Sequence, residues 1–361
     1  MGLRDVTSAR RRLTGLRLRA LGIAQTLPAS PAETVGRMLA LQGQDLPGVL
    51  WSIALRSPGA TRDSVEQAFA DGHLVRGWPL RFTLHVTRAE DIGWLSALTA
   101  ERQHAAAAGR HRELRLEPAD FDRAERIARE RLAGGVRLDR RDLLAAFDAD
   151  GLSTEGQRGA YLLARLAQSG VAVLCGPTTW TLLDGNVPDP VRLEGAAALA
   201  ELARRYLTAR GPATARDLAW WAGITLTGAR AAIAAVDDEF DRLDVDGVEY
   251  RLPFGLEPAP DGIHLLPGFD EYLLGYTDRS APLAGRDPTL IVPGGNGMFL
   301  PTIVVNGEVV GTWKRTLRRT DVEVELRPFR PLAARTLAGI RRAAAAYAGY
   351  LGLELRGVVT P

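Results

Sequence analysis

The string Leu41-Gln42-Gly43-Gln44-Asp45-Leu46 sets two side-chain amides and a carboxylate within four positions. Glutamine is not a proton acceptor of useful strength. Its carbonyl oxygen can nevertheless orient a water and stabilise a positive charge developing beside it. Gly43 frees the backbone, so both amides can turn into one cleft. The same string also reads as the polar end of a helix, because Pro47 and Gly48 follow and force the chain out of it. Other chemistry is scarce. Lys314 is the single lysine, and arginine stays protonated and cannot serve as a Schiff-base nucleophile. The one cysteine, Cys175, excludes a disulfide framework and a Cys-rich zinc site, and it points to the cytoplasm. The histidines (His73, His85, His104, His111, His264) are scattered without ligand spacing, so neither a metal nor a cofactor is expected. Gly294-Gly295-Asn296-Gly297 lies between β-like runs, outside the strand-to-helix setting of a phosphate cradle, and reads as a loop.

The elements that must position these groups come from a chain of 361 residues, enough for two or three domains. Apolar residues make up 46% and charged residues 24%, as in ordinary globular proteins. No apolar run reaches transmembrane length, and the charged N-terminus lacks the apolar core of a secretory signal. The net charge of +2 hides patches. Residues 1–20 carry a net +5 (Arg4, Arg10, Arg11, Arg12, Arg17 and Arg19 against Asp5). Residues 237–250 carry a net −6.

Helical periodicity at 119–133, 139–147 and 157–168 leads into a β-hairpin at 171–183. The order recurs with helices at 194–209, 214–222 and 227–236 and a hairpin turning at Asp246-Gly247. Arg141-Asp142-Leu143 returns as Arg216-Asp217-Leu218 at the same place in the second unit. Helices at 8–21, 31–41 and 64–71, with strands at 74–78 and 82–87, fit a third copy; Ser30, Pro31 and Glu33 mark a helix start. Three helices and a two-stranded wing define a winged helix. Beyond residue 253, β-like runs at 264–266, 289–292, 302–305, 309–312 and 322–326, the Asn306-Gly307 turn, a helix at 332–350 and a strand at 353–359 suggest an antiparallel β-domain resembling a small barrel. The expected fold is α+β: winged helices at 1–112, 113–190 and 191–253, then a β-domain at 254–361, in one compact body.

With these strings in hand, the chain resembles the AlkZ-type family of winged-helix DNA glycosylases over nearly its whole length. The resemblance rests on Leu41-Gln42-Gly43-Gln44, Arg81-Phe82-Thr83-Leu84-His85, and Leu265-Leu266-Pro267-Gly268-Phe269-Asp270-Glu271 with Asp278-Arg279. It rests also on Asn296-Gly297-Met298-Phe299 and Gly311-Thr312-Trp313-Lys314-Arg315. It implies three winged helices and a β-domain around a concave, DNA-sized channel. It also implies excision of N-alkylated purines, bulky genotoxin adducts and interstrand crosslinks included in some members. The family signature is Gln, an aliphatic residue, Gln. It assigns catalysis to Gln42 and Gln44, with Gly43 as a departure that loosens the geometry.

A purine alkylated at N7 is cationic, and its glycosidic bond breaks through an oxocarbenium-like state. Two amides suit such a leaving group and suit an undamaged base poorly. A β-lyase needs an amine, so a lone lysine predicts a monofunctional enzyme that leaves an abasic site. Arg81 and His85, on alternate positions of a strand, are candidates to contact phosphate or frame the lesion. Lys314, Arg315 and Arg12 are candidates for phosphate contact. Asp45, Asp270, Asp278 and Arg279 either border the channel or form a structural ion network, and Trp220-Trp221 reads as core. The expected partner is double-stranded DNA carrying alkylated purines. The protein is expected to act as a monomer, away from membranes, in the cytoplasm on the nucleoid. Two other readings stay open: a winged-helix transcription regulator and a protein that sequesters the genotoxin. The acidic 237–250 segment disfavours the third unit as a sequence reader.

Overall fold

The computed structural model describes residues 3–24, 29–184, 187 and 190–360. The side chains of residues 3–7, Arg4 and Asp5 among them, lie outside the described set. The chain starts with α1 (Leu3–Ala20), α2 (Pro31–Met38), β1 (Leu41–Gln42), α3 (Leu46–Arg56), α4 (Arg62–Ala70), β2 (Leu74–Leu80), β3 (Thr83–Arg88) and α5 (Ala89–Glu113). Next come α6 (Pro118–Arg131), β4 (Leu138–Asp139), α7 (Arg140–Ala149), α8 (Arg158–Gln168), β5 (Ala172–Leu174) and β6 (Thr179–Leu182). Then follow α9 (Gly195–Arg210), α10 (Ala215–Ala222), α11 (Leu226–Ala234), β7 (Phe240–Val245) and β8 (Val248–Pro253). The last part holds β9 (Ile263–Leu266), α12 (Glu271–Leu274), α13 (Ser280–Leu283), β10 (Thr302–Val305), β11 (Glu308–Leu317), β12 (Asp321–Pro328), α14 (Ala334–Leu351) and β13 (Glu354–Val359).

Local chemistry explains many of these boundaries. Ser30 and Glu33 close a capping box on α2, with Pro31 in the first turn, a motif contributing about 1 kcal/mol. Asp246-Gly247 and Asn306-Gly307 take the left-handed conformations that two-residue hairpins require. The repeated Arg-Asp-Leu opens α7 and α10, and both leucines, Leu143 and Leu218, are fully buried.

Two features of the sheets differ from expectation. The first two hairpins do not stand apart. They join through Arg76 and Leu174 into one six-stranded sheet, ordered β1-β3-β2-β5-β6-β4. The C-terminal sheet, ordered β13-β12-β11-β10-β9, is mixed, not purely antiparallel. α14 carries the chain back across it, so β13 runs parallel to β12. Among the described residues no ladder joins β9 to β13, so this curled sheet stays open where a small barrel would close. The run at 289–292 is no strand: Asp287 caps a short 3-10 turn at Pro288–Leu290. One apolar core runs through α2 to α4, the α9–α11 bundle and the C-terminal sheet, and a second fills the space among α6, α7, α8 and β5–β6.

Candidate active site

The Gln-Gly-Gln segment is not a helix end. α2 stops at Met38, Leu39 turns the chain with φ 62°, and Leu41–Gln42 pairs antiparallel with β3, Gln42 opposite His85. Left-handed backbone at a leucine costs about 1–3 kcal/mol and persists only where the surroundings impose it. Here the imposing group is Arg210, at the end of α9. Its Nη1 donates to Met38 O (2.9 Å) and its Nη2 to Ala40 O (2.8 Å), one on each side of Leu39. Glu271 Oε2 accepts from Arg210 Nε at 2.9 Å and from Trp221 Nε1 at 2.8 Å. Its Oε1 faces the Gln42 backbone N at 3.4 Å. The Arg210 and Glu271 side chains are 0% and 1% exposed. A buried ion pair drawn from two distant parts of the chain thus fixes the strand that carries Gln42.

Gly43 still meets β3, its N–H donating to Leu84 O at 2.8 Å. The paired strand ends at Gln42, which is buried; Gln44 follows in a bend, exposed, with its Oε1 3.5 Å from Leu84 N of β3. Gly43 itself avoids the left-handed region, so conformational freedom is not why a glycine stands there. The reason is space: a Cβ at this position would lie 3.0 Å from Arg76 Cδ and 3.3 Å from Val86 Cγ2. The stem of Arg76 occupies the space into which a side chain at this position would extend, and its Nη2 donates to Pro177 O at 2.7 Å. The departure leaves no gap to loosen the site.

α3 begins at Leu46, directly after Asp45. Pro47 sits in its first turn, where the missing N–H costs nothing, so this proline opens a helix instead of ending one. Asp45 Oδ1 lies 3.8 Å from Arg315 Nη2, which brings Arg315 of β11 beside Gln44. Lys314 goes elsewhere. Alternation along β11 turns it out to solvent, opposite Glu325 and away from the face that carries Trp313 and Arg315. Arg12 is exposed on α1, where it lines a shallow cleft with Pro258 and Asp261.

His85 is fully enclosed. Its Nδ1 lies 2.9 Å from Thr83 O and must donate to that carbonyl. Nε2 is left as an acceptor without a partner among the described residues. Burial, helped by the nearby charge of Arg81, pushes its pKa down to about 3, so the ring is neutral near pH 7. Arg81 does not share a strand with it. Leu80 pairs with Thr83, and Arg81 and Phe82 form the two-residue turn between β2 and β3, with φ 53° and 57°. Neither residue type favours that conformation. The turn lays the Arg81 guanidinium over Trp220, 4.5 Å from the ring centroid. Of the tryptophan pair, only Trp221 is core; Trp220 is half-buried.

Asp270 is enclosed and holds Arg56 through two bonds of 2.9 and 3.0 Å, with Ser52 Oγ at 2.8 Å. Burial pushes its carboxyl up, but Arg56 outweighs burial and holds it below the usual range. Asp278 caps the turn before α13 through Ser280 N at 2.8 Å. Arg279 lies 5.0 Å from both the Trp220 and the Phe299 rings. The structure therefore groups Gln42, Gln44, Asp45, His85 and Arg315 around one strand, and Arg81 with Arg279 beside Trp220. Asp270, Asp278, Lys314 and Arg12 make their contacts elsewhere. Sequence reasoning missed Arg210 and Arg76 as positioning groups. Glu271 was visible in the string at 265–271, but nothing local marked it as the anchor of Gln42. Among the described residues no cluster of His, Cys, Asp and Glu could hold a metal ion, and no helix is long and apolar enough to cross a membrane.

Comparison with known proteins gives the family and the fold. A family model described as DNA glycosylase AlkZ-like matches residues 35–350. A curated relative from Streptomyces sahachiroi, named interstrand DNA cross-link repair glycosylase, is 29% identical over 330 residues, covering 83% of this chain and 85% of that protein. The solved structure of Streptomyces sahachiroi DNA glycosylase AlkZ superposes with a TM-score of 0.81 at 24% identity, covering 97% of this chain and 99% of that one.

Proposed function

Because the chain belongs to the AlkZ-like DNA glycosylase family, hydrolases of N-glycosyl bonds, we propose that it excises N-alkylated, cationic purines from duplex DNA. The products are the free base and an abasic site. The observation that carries this reading is the Gln-Gly-Gln segment at the edge of β3: Gln42 fixed by a buried ion pair opposite a neutral histidine, and Gln44 exposed two positions on, against Leu84. A positively charged leaving group departs without an acid. What remains for the protein is to orient water and stabilise the oxocarbenium-like sugar, which amide oxygens can do. Gln44, the exposed member, orients the water, and Gln42 supports the sugar charge from below.

The substrate range extends to bulky adducts and interstrand crosslinks, as the name of the Streptomyces relative suggests. A crosslinked base cannot swing out of the duplex, so the lesion is approached in the groove, in contrast to base flipping. Three tandem winged helices and the C-terminal sheet form the channel, with Arg315 at a backbone phosphate, and the enzyme works as a monomer. The lone lysine, turned away from the glutamines, supports a monofunctional reaction. Incubation with duplex DNA containing N7-methylguanine tests the proposal: free base is expected, and Gln44→Ala abolishes its release. Unchanged release from a Gln42→Ala/Gln44→Ala double mutant would reject the site.

A further inference from the structure

The unused feature of the fold is a pair of cations that form no salt bridge among the described residues. Arg81, in the β2–β3 turn, forms no ion pair, and its Nε and Nη2 are enclosed without a hydrogen-bond partner among the described residues. Arg279, which follows α12, uses Nε and Nη1 on the carbonyls of Leu273 (2.7 Å) and Thr277 (3.4 Å), while its Nη2 is enclosed and unpartnered. Both guanidiniums rest on one ring, Trp220 of α10, at 4.5 and 5.0 Å from its centroid. Phe299 lies 5.0 Å from the Arg279 guanidinium. Arg81, Trp220, Arg279 and Phe299 are each half-buried, so the cluster reaches the surface.

Two like charges brought together in a poorly hydrated place repel each other and lose hydration. A fold commonly offsets this with a carboxylate, as it does for Arg210 and Arg56. Here stacking on an aromatic ring orients the guanidiniums but leaves Arg81 Nε and Nη2 and Arg279 Nη2 unpartnered among the described residues; Asp217 and Asp278 favour the Arg279 charge through space without pairing with it. Burial, with the charges of Arg210 and Arg279 adding to it and Glu271 opposing, pushes the Arg81 pKa down to about 10. The cluster also adjoins the glutamine strand, since Arg81 lowers the pKa of His85, the partner of Gln42 across the sheet.

We propose that Arg81 and Arg279, held on Trp220, form the seat for one DNA backbone phosphate next to the lesion. A phosphodiester offers two non-bridging oxygens and one negative charge; the N–H groups left to meet them are the Nε/Nη2 fork of Arg81 and Nη2 of Arg279, which turn out of their enclosed positions to do so. The third unit thereby acts on DNA through its tryptophan, without reading sequence. This inference rests on the glycosylase reading and adds the residues that set the DNA against the glutamines.

The test is binding of an undamaged duplex by fluorescence anisotropy across salt, with Arg81→Gln, Arg279→Gln, Trp220→Phe and Trp220→Ala in the full chain. One phosphate contact contributes about 0.9 to the slope of log affinity against log salt. Each arginine variant is expected to bind about tenfold more weakly at low salt, its slope reduced by about 1. The double arginine variant should lose little more than either alone, because both hold the same phosphate. Trp220→Phe should retain binding and Trp220→Ala should lose it. Thermal melting separates this from a structural role: without DNA, Arg81→Gln should melt no lower than the parent, because it removes an unpaired cation. Unchanged salt slopes in both arginine variants, or a large loss of stability in Arg81→Gln, overturn the proposal while leaving the glycosylase reading intact. Absence of DNA binding by the parent protein would sink both.

Discussion

Replacing Glu271 by glutamine tests whether the buried pair does more than stabilise the fold. The carboxylate accepts from Arg210 and Trp221 and faces the Gln42 amide, with about 1% of its side chain exposed. The substitution keeps the volume but removes the charge, leaving the Arg210 guanidinium buried and unpaired. Breaking such a pair costs about 3–5 kcal/mol. Against a total stability of about 10 kcal/mol, within the usual range of about 5–15, the protein stays folded at 25 °C but melts about 4–7 °C lower. The catalytic consequence is separable. Arg210 holds the carbonyls on both sides of Leu39, and a displacement of the following strand by about 1 Å costs about 10²-fold in rate. Single-turnover release of N7-methylguanine should therefore fall about 100-fold, while affinity for undamaged duplex stays within about twofold, because no DNA contact has been removed. Arg210→Lys keeps the charge, loses the fork and should show the same split. Normal excision by a Glu271→Gln protein melting about 4–7 °C lower would refute the positioning argument. Unchanged melting would refute the electrostatic reasoning beneath it.

Four further outcomes follow from the geometry. Gly43→Val would drive its side chain into Arg76 and Val86 and should destabilise by about 1–3 kcal/mol in urea titrations; the cost in Gly43→Val/Arg76→Ala should be smaller than the sum of the singles. Gln42, Gln44 and the neutral His85 carry no proton that titrates between pH 6 and 9, so excision of an N7-alkyl lesion should be flat there; a rate midpoint near 6.5 would contradict the neutral histidine. Burial first, with nearby positive charge adding to it, lowers His85 to about 3, and His104 and His264 to about 4 each. Their unfolded forms take up protons first, near pH 6.5, so their contribution is complete above that pH and is lost as pH falls from about 6.5 towards 4. Urea midpoints should drop over that window, and less steeply in His264→Gln. Lys314→Ala should release base at the parent rate, and neither protein should nick the strand without heat or alkali; lysine-dependent nicking would overturn the monofunctional assignment.

Much of the fold was legible because it rests on local rules. The spacing of Tyr161, Leu162, Leu166 and Ala167 specifies α8, and Asp-Gly and Asn-Gly specify two hairpins. The failures lie where distance decides. Pro47 read as a stop because sequence shows a proline but not whether its missing N–H is needed. β1 is too short to carry a pattern, and it exists because β3 offers an edge and Arg210 forbids the alternative, since Leu39 and Ala40 left alone would extend α2. In a chain so rich in arginine, nothing local separates Arg210 or Arg76 from an arginine on a solvated face; only the carbonyls they meet do so. The two glutamines were visible from the start, but what holds them was not.

The distance between the glutamines and their anchors also sets a timetable. Met38 precedes Arg210 by 172 positions, and Gln42 precedes Glu271 by 229. At about 5–20 residues per second, a ribosome makes the Gln-Gly-Gln segment roughly 10–50 s before the carboxylate that fixes it. Until then the segment has neither the pair that bends it at Leu39 nor the charge facing Gln42. A broken or unfinished N-terminal fragment therefore carries both glutamines without an organised site. An organised site can form only after the chain has been made through Glu271, so the order of synthesis withholds it from the N-terminal part alone.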